Sequence, residues 1–332
     1  MKKILLLSFG LFWGQFIYGQ KHIDTVTVTP TSVCAGSAIS VRVAYTSAYN
    51  GGTDDAFSFL SDLNGNGYNS SNLINQHALS STTFTFSYTI PLGTTAGNYR
   101  IFTKDTIALN QVDTFSNLFT VIAPATANAG SPQSVCQGGS VTLAGAIGGS
   151  ATGATWSAPS GSFSNTTNLS SPYTPSITSG TVTLTLTTAG PCAAVTSTVV
   201  ITVNATSTAN AGSPQSVCQG GTVTLAGTKG GSATGSTWSA PSGSFSNTSL
   251  LNSTYTPSIT TGTVTLTLTT SGPCAAATST VVITVNPSAT ANAGSPQTLC
   301  AGGNVTLSGS IGGSATGSTW SAPSGSFSNA SL

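Results

Sequence analysis

Cys136, Cys218 and Cys300 recur at an interval of 82 residues, and Trp156, Trp238 and Trp320 keep the same interval, as do Asn128, Asn210 and Asn292. A fixed period of this size means that one structural unit is built repeatedly along the chain. The units read as 125–206, 207–288 and 289–332. Leu332 aligns with Leu250 and Asn168, so the third unit is expected to be a truncated repeat.

Within a unit the hydrophobic period is two. Over 181–188, Val182, Leu184 and Leu186 alternate with Thr181, Thr183, Thr185 and Thr187, which gives a strand with one buried and one wet face. Segment 196–203 is rich in β-branched residues. Shorter strands are expected at 141–144, at 155–158 and around Tyr173. Turns fall at Cys136-Gln-Gly-Gly-Ser140, Pro159-Ser-Gly161 and Ala189-Gly-Pro-Cys192. About seven strands in about 80 residues predict a sandwich of two antiparallel sheets. Glutamate is absent and lysine, arginine and methionine are scarce, which leaves little to build helices from. The expected fold is therefore all-β, a tandem array of immunoglobulin-like antiparallel β-sandwiches.

Residues 20–123 form a related but distinct unit, expected as an N-terminal Ig-like sandwich. Ile39, Val41, Val43 and Tyr45 alternate with polar residues, and so do Phe84, Phe86, Tyr88 and Ile90. Gly97-Asn-Tyr99 reads as the start of the penultimate strand, where sandwiches often place a corner tyrosine. Cys34 lies just before the 39–45 strand, as Cys136 lies before its own. Residues 1–19 read as a signal peptide: Lys2 and Lys3, an apolar run from Ile4 to Tyr18, then Gly19 before a cut at Gln20. Removal of that segment would leave a secreted or cell-surface chain with no membrane insertion.

The motif series NAGSPQSVCQGG, TWSAPSGSFSN, YTPSITSGTVTLTLTT and VVITV resembles the PKD-like/Ig-like repeats of large Bacteroidota surface proteins. The resemblance covers residues 125–332, with a weaker echo in PTSVCAGSAISV of the first unit. It implies a PKD-like sandwich and a protein of the gliding-motility-associated or type 9 secretion type, exported across the outer membrane and displayed or released by secretion machinery.

Charge excludes several function classes. Seven Lys/Arg and six acidic residues, all Asp, give a net charge of +1. From residue 125 onward, Lys229 is the one Asp, Glu, Lys, Arg or His. Nucleic acid is held chiefly by cationic side chains, so it is not an expected partner. The repeats lack His, Asp and Glu, so neither a general base nor a catalytic triad can be assembled there. No enzyme activity and no cofactor are expected.

Weaker candidates remain. Asp62, Asn64 and Asn66 resemble the first half of a calcium loop, but Leu73 occupies the twelfth position, where a bidentate acid belongs. A polar turn explains the same residues. Trp156, Trp238 and Trp320 offer a glycan-stacking platform, against the alternative that each is the core tryptophan of a sandwich. The Thr-x-Thr face of 181–187 reads as the solvated face of an ordinary strand. Asp24-Thr-Val and Asp105-Thr-Ile resemble the O-glycosylation acceptor of Bacteroidota.

Six cysteines at regular positions in an exported chain point to disulfides among Cys34, Cys136, Cys192, Cys218, Cys274 and Cys300. Two pairings compete. Cys136–Cys192 and Cys218–Cys274 would close loops within units. Cys34–Cys192 and Cys136–Cys274 would join neighbouring units, leaving Cys218 and Cys300 to pair elsewhere. The function expected from all this is a non-enzymatic adhesin-type stalk or spacer that meets glycans or other cell surfaces. The alternatives are an accessory region of a large secreted enzyme and a polysaccharide-binding module.

Overall fold

The computed structural model describes residues 23–45, 55–62, 73–78, 83–105 and 114–331. The signal peptide assigned to 1–19 lies outside them, as do Asn64 and Asn66 of the calcium-loop candidate. Every named element among the described residues is a β-strand.

In the first domain these are β1 (Ile23–Thr29), β2 (Ser32–Cys34), β3 (Ala38–Tyr45), β4 (Asp55–Asp62), β5 (Leu73–Ala78), β6 (Thr83–Thr89), β7 (Gly97–Asp105), β8 (Thr114–Phe115) and β9 (Phe119–Ile122). One sheet runs β1-β3-β6 and the other β2-β9-β7-β4-β5, with β8 attached to β7. Val26, Val28, Val41 and Val43 from the first sheet meet Val33, Ile101, Phe119 and Val121 from the second in one core. Tyr99 is the corner tyrosine. Its hydroxyl donates to the Thr95 carbonyl at 2.9 Å, fixing the entry to β7.

The first repeat carries β10 (Thr126–Asn128), β11 (Gln133–Cys136), β12 (Val141–Thr142), β13 (Ala146–Gly148), β14 (Gly153–Ser157), β15 (Ser162–Phe163), β16 (Pro172–Thr174), β17 (Gly180–Ala189) and β18 (Thr196–Asn204). Its larger sheet is β11-β18-β17-β14; facing it are β12-β16-β15 and the pair β10-β13. The inward residues of β17 are Val182, Leu184 and Leu186, as the alternation predicts. They pack with Trp156, Tyr173, Leu143 and Ile201 between the two layers. That arrangement is an immunoglobulin-like sandwich. β13 and β15 escape the sequence reading: β13 falls in a segment read as loop, and β15 is two residues long.

The second repeat copies the first strand for strand. It has β19 (Thr208–Asn210), β20 (Gln215–Cys218), β21 (Val223–Thr224), β22 (Thr228–Gly230), β23 (Gly235–Ser239), β24 (Ser244–Phe245), β25 (Thr254–Thr256), β26 (Gly262–Ser271) and β27 (Thr278–Asn286). The third is represented by β28 (Thr290–Asn292) paired with β29 (Ser310–Gly312).

Strand direction decides the geometry of the cysteines. β11 runs parallel to β18, with Cys136 opposite Asn204, the last residue of that strand. Cys192 lies in the turn before β18 begins. A nine-residue strand spans about 30 Å, so Cys136 and Cys192 occupy opposite ends of the sandwich.

Candidate functional site: the cysteine junctions

The two disulfides in the structure are Cys34–Cys192 and Cys136–Cys274, with Cα atoms 5.6 and 5.7 Å apart. Each joins the end of a β2- or β11-type strand to the β17–β18 or β26–β27 turn of the next unit. Of the two pairings left open by the sequence, the intra-unit one is not formed. A disulfide needs Cα atoms within about 7 Å, and one sandwich holds its own pair at opposite poles. Cys218 and Cys300 are free and exposed.

The two junctions are near copies. Cys34 Sγ lies 3.6 Å from the Pro191 carbonyl oxygen, and Cys136 Sγ lies 3.6 Å from that of Pro273. Cys192 Sγ sits 3.7 Å from the Ala123 oxygen, and Cys274 Sγ sits 3.9 Å from the Asn204 oxygen. Disulfide sulfur has no hydrogen to give, so these are packing contacts between a turn and the linker it abuts.

The turn is held from below by a threonine that periodicity alone does not single out. Thr188 continues the inward row of β17 and is buried. Its Oγ1 accepts from the Val195 amide at 2.8 Å, and its own amide donates to the Val195 carbonyl at 2.9 Å. Thr270 and Ala277 repeat the arrangement. A buried hydroxyl satisfied in this way fixes both ends of the loop carrying Gly-Pro-Cys.

Two glycines complete the seat. Gly149 has φ +61°, and a Cβ there would fall 1.8 Å from the Pro124 carbonyl oxygen of the linker. Only glycine suits that backbone and that approach. Gly190 belongs to the turn itself, and a Cβ on it would stand 2.4 Å from the Ser150 carbonyl oxygen. The substitution Gly190→Ala should therefore lift the turn, at a cost of about 1–3 kcal/mol. We expect non-reducing peptide mapping of that variant to recover part of Cys34 and Cys192 as free thiols. Complete bonding, as in the parent chain, would contradict this role for Gly190.

The other candidates resolve differently. Trp156 and Trp238 are each 1% exposed and belong to the cores. Their faces meet Phe163 and Phe245 (centroids 6.4 Å apart in both units) and the backbone at Gly145 and Gly227. Neither indole is open to stack on a sugar, which corrects the glycan-platform candidate for both. Trp320 is half-buried, its ring set against Gly309. Tyr173 and Tyr255 donate to the Ser160 and Ser242 carbonyls at 2.6 Å. Burial pushes both phenols above their usual pKa, and they remain neutral donors. Asp62 is the last residue of β4. Among the described residues, no three His, Cys, Asp or Glu come together as a metal site. Among them, too, no helix is long and apolar enough to cross a membrane.

No protein-family model matches the chain, and no curated protein matches it. Solved structures do match. An I-band fragment of titin aligns at 14% identity and TM-score 0.45, covering 80% of this chain and 98% of its own. Extracellular domains 3 to 5 of Drosophila OTK align at 12% identity and TM-score 0.34, covering 80% and 97%. The three N-terminal domains of the bacteriophage RB49 outer capsid protein Hoc align at 13% identity and TM-score 0.37, covering 79% and 98%. The fold assignment rests on the sheet topology described above.

Proposed function

We propose that this chain is a non-enzymatic extracellular stalk, a series of sandwiches locked head to tail so that whatever it carries is held away from a surface. The observation that supports the reading is the repetition of one disulfide junction at two successive boundaries. A single peptide linker leaves domains free to swing. A second covalent tie beside the linker removes that freedom. Disulfides persist outside the reducing cytosol, which accords with the export signal read at 1–19. The motif resemblance adds the source: a surface protein of Bacteroidota with PKD-like repeats, of the gliding-motility or type 9 secretion kind.

Adhesion to glycans or other cells belongs to this proposal only as what a stalk presents. The buried Trp156 and Trp238 take no part in it. Small-angle scattering of the exported chain, before and after mild reduction, tests the rod. With bonds intact, we expect one well-defined maximum dimension. After reduction we expect a broader distribution shifted to shorter mean lengths, with sandwich circular dichroism retained. Identical scattering profiles in both states would remove the disulfides as the source of stiffness.

A further inference from the structure

We infer that the Cys218 end of the second repeat is a built acceptor for one particular partner, the Gly-Pro-Cys turn of another repeat of this kind. The inference rests on the stalk reading and goes further, giving the array a direction of growth and a specific chemical joint. Cys218 is the last residue of β20, paired opposite Asn286 in register with β27, as Cys136 is opposite Asn204. The Gln219 amide donates to the Asn286 carbonyl at 2.8 Å, the same distance as Gln137 to Asn204. The following turn closes identically, Gly221 N to Cys218 O and Gly139 N to Cys136 O, both at 2.9 Å. The thiol is therefore presented on the same scaffold as two cysteines that already hold such a turn, Cys34 and Cys136. It differs from them in being free.

Cys300 supplies the contrast inside the same chain. It occupies the equivalent place in the period and closes the same turn, Gly303 N to Cys300 O at 2.9 Å. The segment leading to it is not strand-paired, whereas 215–218 forms β20 against β27. Cys218 is thus an oriented acceptor and Cys300 an exposed thiol on an unpaired segment.

The joint forms by two exchanges with a small disulfide such as oxidised glutathione. The Cys218 thiolate attacks that disulfide and expels one glutathione thiolate, giving a mixed disulfide. The turn cysteine, as thiolate, then attacks the Cys218 sulfur and expels the second. Two protein thiols are oxidised, one glutathione disulfide is reduced, and two protons leave with the thiols.

The test extends the full chain after Leu332 with a copy of its own residues 251–286, since Leu332 stands where Leu250 stands one period earlier. Under a glutathione redox buffer, peptide mapping should find Cys218 bonded to the added copy of Cys274, with Cys300 free. Bonding of the added cysteine to Cys300, or a Cys218 that stays free while Trp320 becomes buried, overturns the inference. A second arm requires no new folding: the unaltered chain is offered a head-to-tail cyclised peptide of residues 270–277. The preference for this peptide over glutathione should be at least tenfold greater at Cys218 than at Cys300. Equal preference at the two thiols overturns it. Mapping reports the bonds and scattering reports the shape, so this inference and the stalk proposal fail separately.

Discussion

Pulled from β1 toward the third repeat, the chain with both disulfides closed should reach full extension shorter by at least the 158 residues that separate Cys34 from Cys192. At about 3.3–3.6 Å per extended residue, that is roughly 50 nm or more of hidden length. The reason lies in the load path. Tension enters the first repeat at Cys192, and the covalent chain then leads directly into β18 and out at Asn204. That strand is already extended, so it has almost nothing to give. Most of the first domain sits inside the closed loop and is shielded, while residues 136–192 of the first repeat carry load between the two bonds. The second bond, with a separation of 138 residues, overlaps the first and shortens the path again. Single-molecule stretching in oxidised and reduced buffer measures the difference directly. Equal contour lengths in the two buffers would mean that the bonds are not formed in the exported chain.

The mechanical argument depends on features that the sequence reveals unevenly. The long strands β17 and β18 were legible because ten and nine residues give period two enough room to show itself. β13 and β15 are three and two residues long, and an alternation cannot be read over so few positions. The poles of the sandwich follow from strand direction, which puts Cys136 and Cys192 at opposite ends, although the sequence leaves both disulfide pairings open. What the period could not reveal is how closely one sandwich approaches the next. That approach depends on Gly149 beneath the Pro124 carbonyl, Gly190 beneath Ser150, and the Thr188 hydroxyl under the turn. Each of these looks, in sequence, like ordinary loop composition or one more threonine. A threonine that continues an inward-facing row is the one available signal, because a buried hydroxyl must find a partner. The tryptophans carried two meanings in sequence, and only their packing against Phe163 and Phe245 separates them.

Replacing the second repeat's tryptophan should be the most damaging single change in the array. Trp238 is 1% exposed, stacked on Phe245 and pressed against Gly227. Trp238→Ala removes that whole side chain from a packed core, at about 3–5 kcal/mol. For a sandwich of about 80 residues, that corresponds to roughly 15–30 °C in the melting transition assigned to the unit. The two repeats also allow a finer comparison. Trp238 Nε1 donates to the Leu250 carbonyl at 3.1 Å, whereas Trp156 Nε1 is buried with no partner among the described residues. The turn residue differs between the repeats: Leu250 in one, and in the other Asn168, whose side-chain oxygen accepts from the Ser170 amide. Replacement by phenylalanine deletes a satisfied donor in the second repeat and an unsatisfied one in the first. Leaving a buried donor unpaired costs about 1–3 kcal/mol, so deleting it recovers part of the loss of ring volume. Trp156→Phe should therefore cost less than Trp238→Phe by about 1 kcal/mol, although the ring contacts are nearly the same. Thermal melts of the two variants decide it. Equal destabilisation would mean that the Leu250 bond contributes nothing and that packing alone sets the stability of each unit.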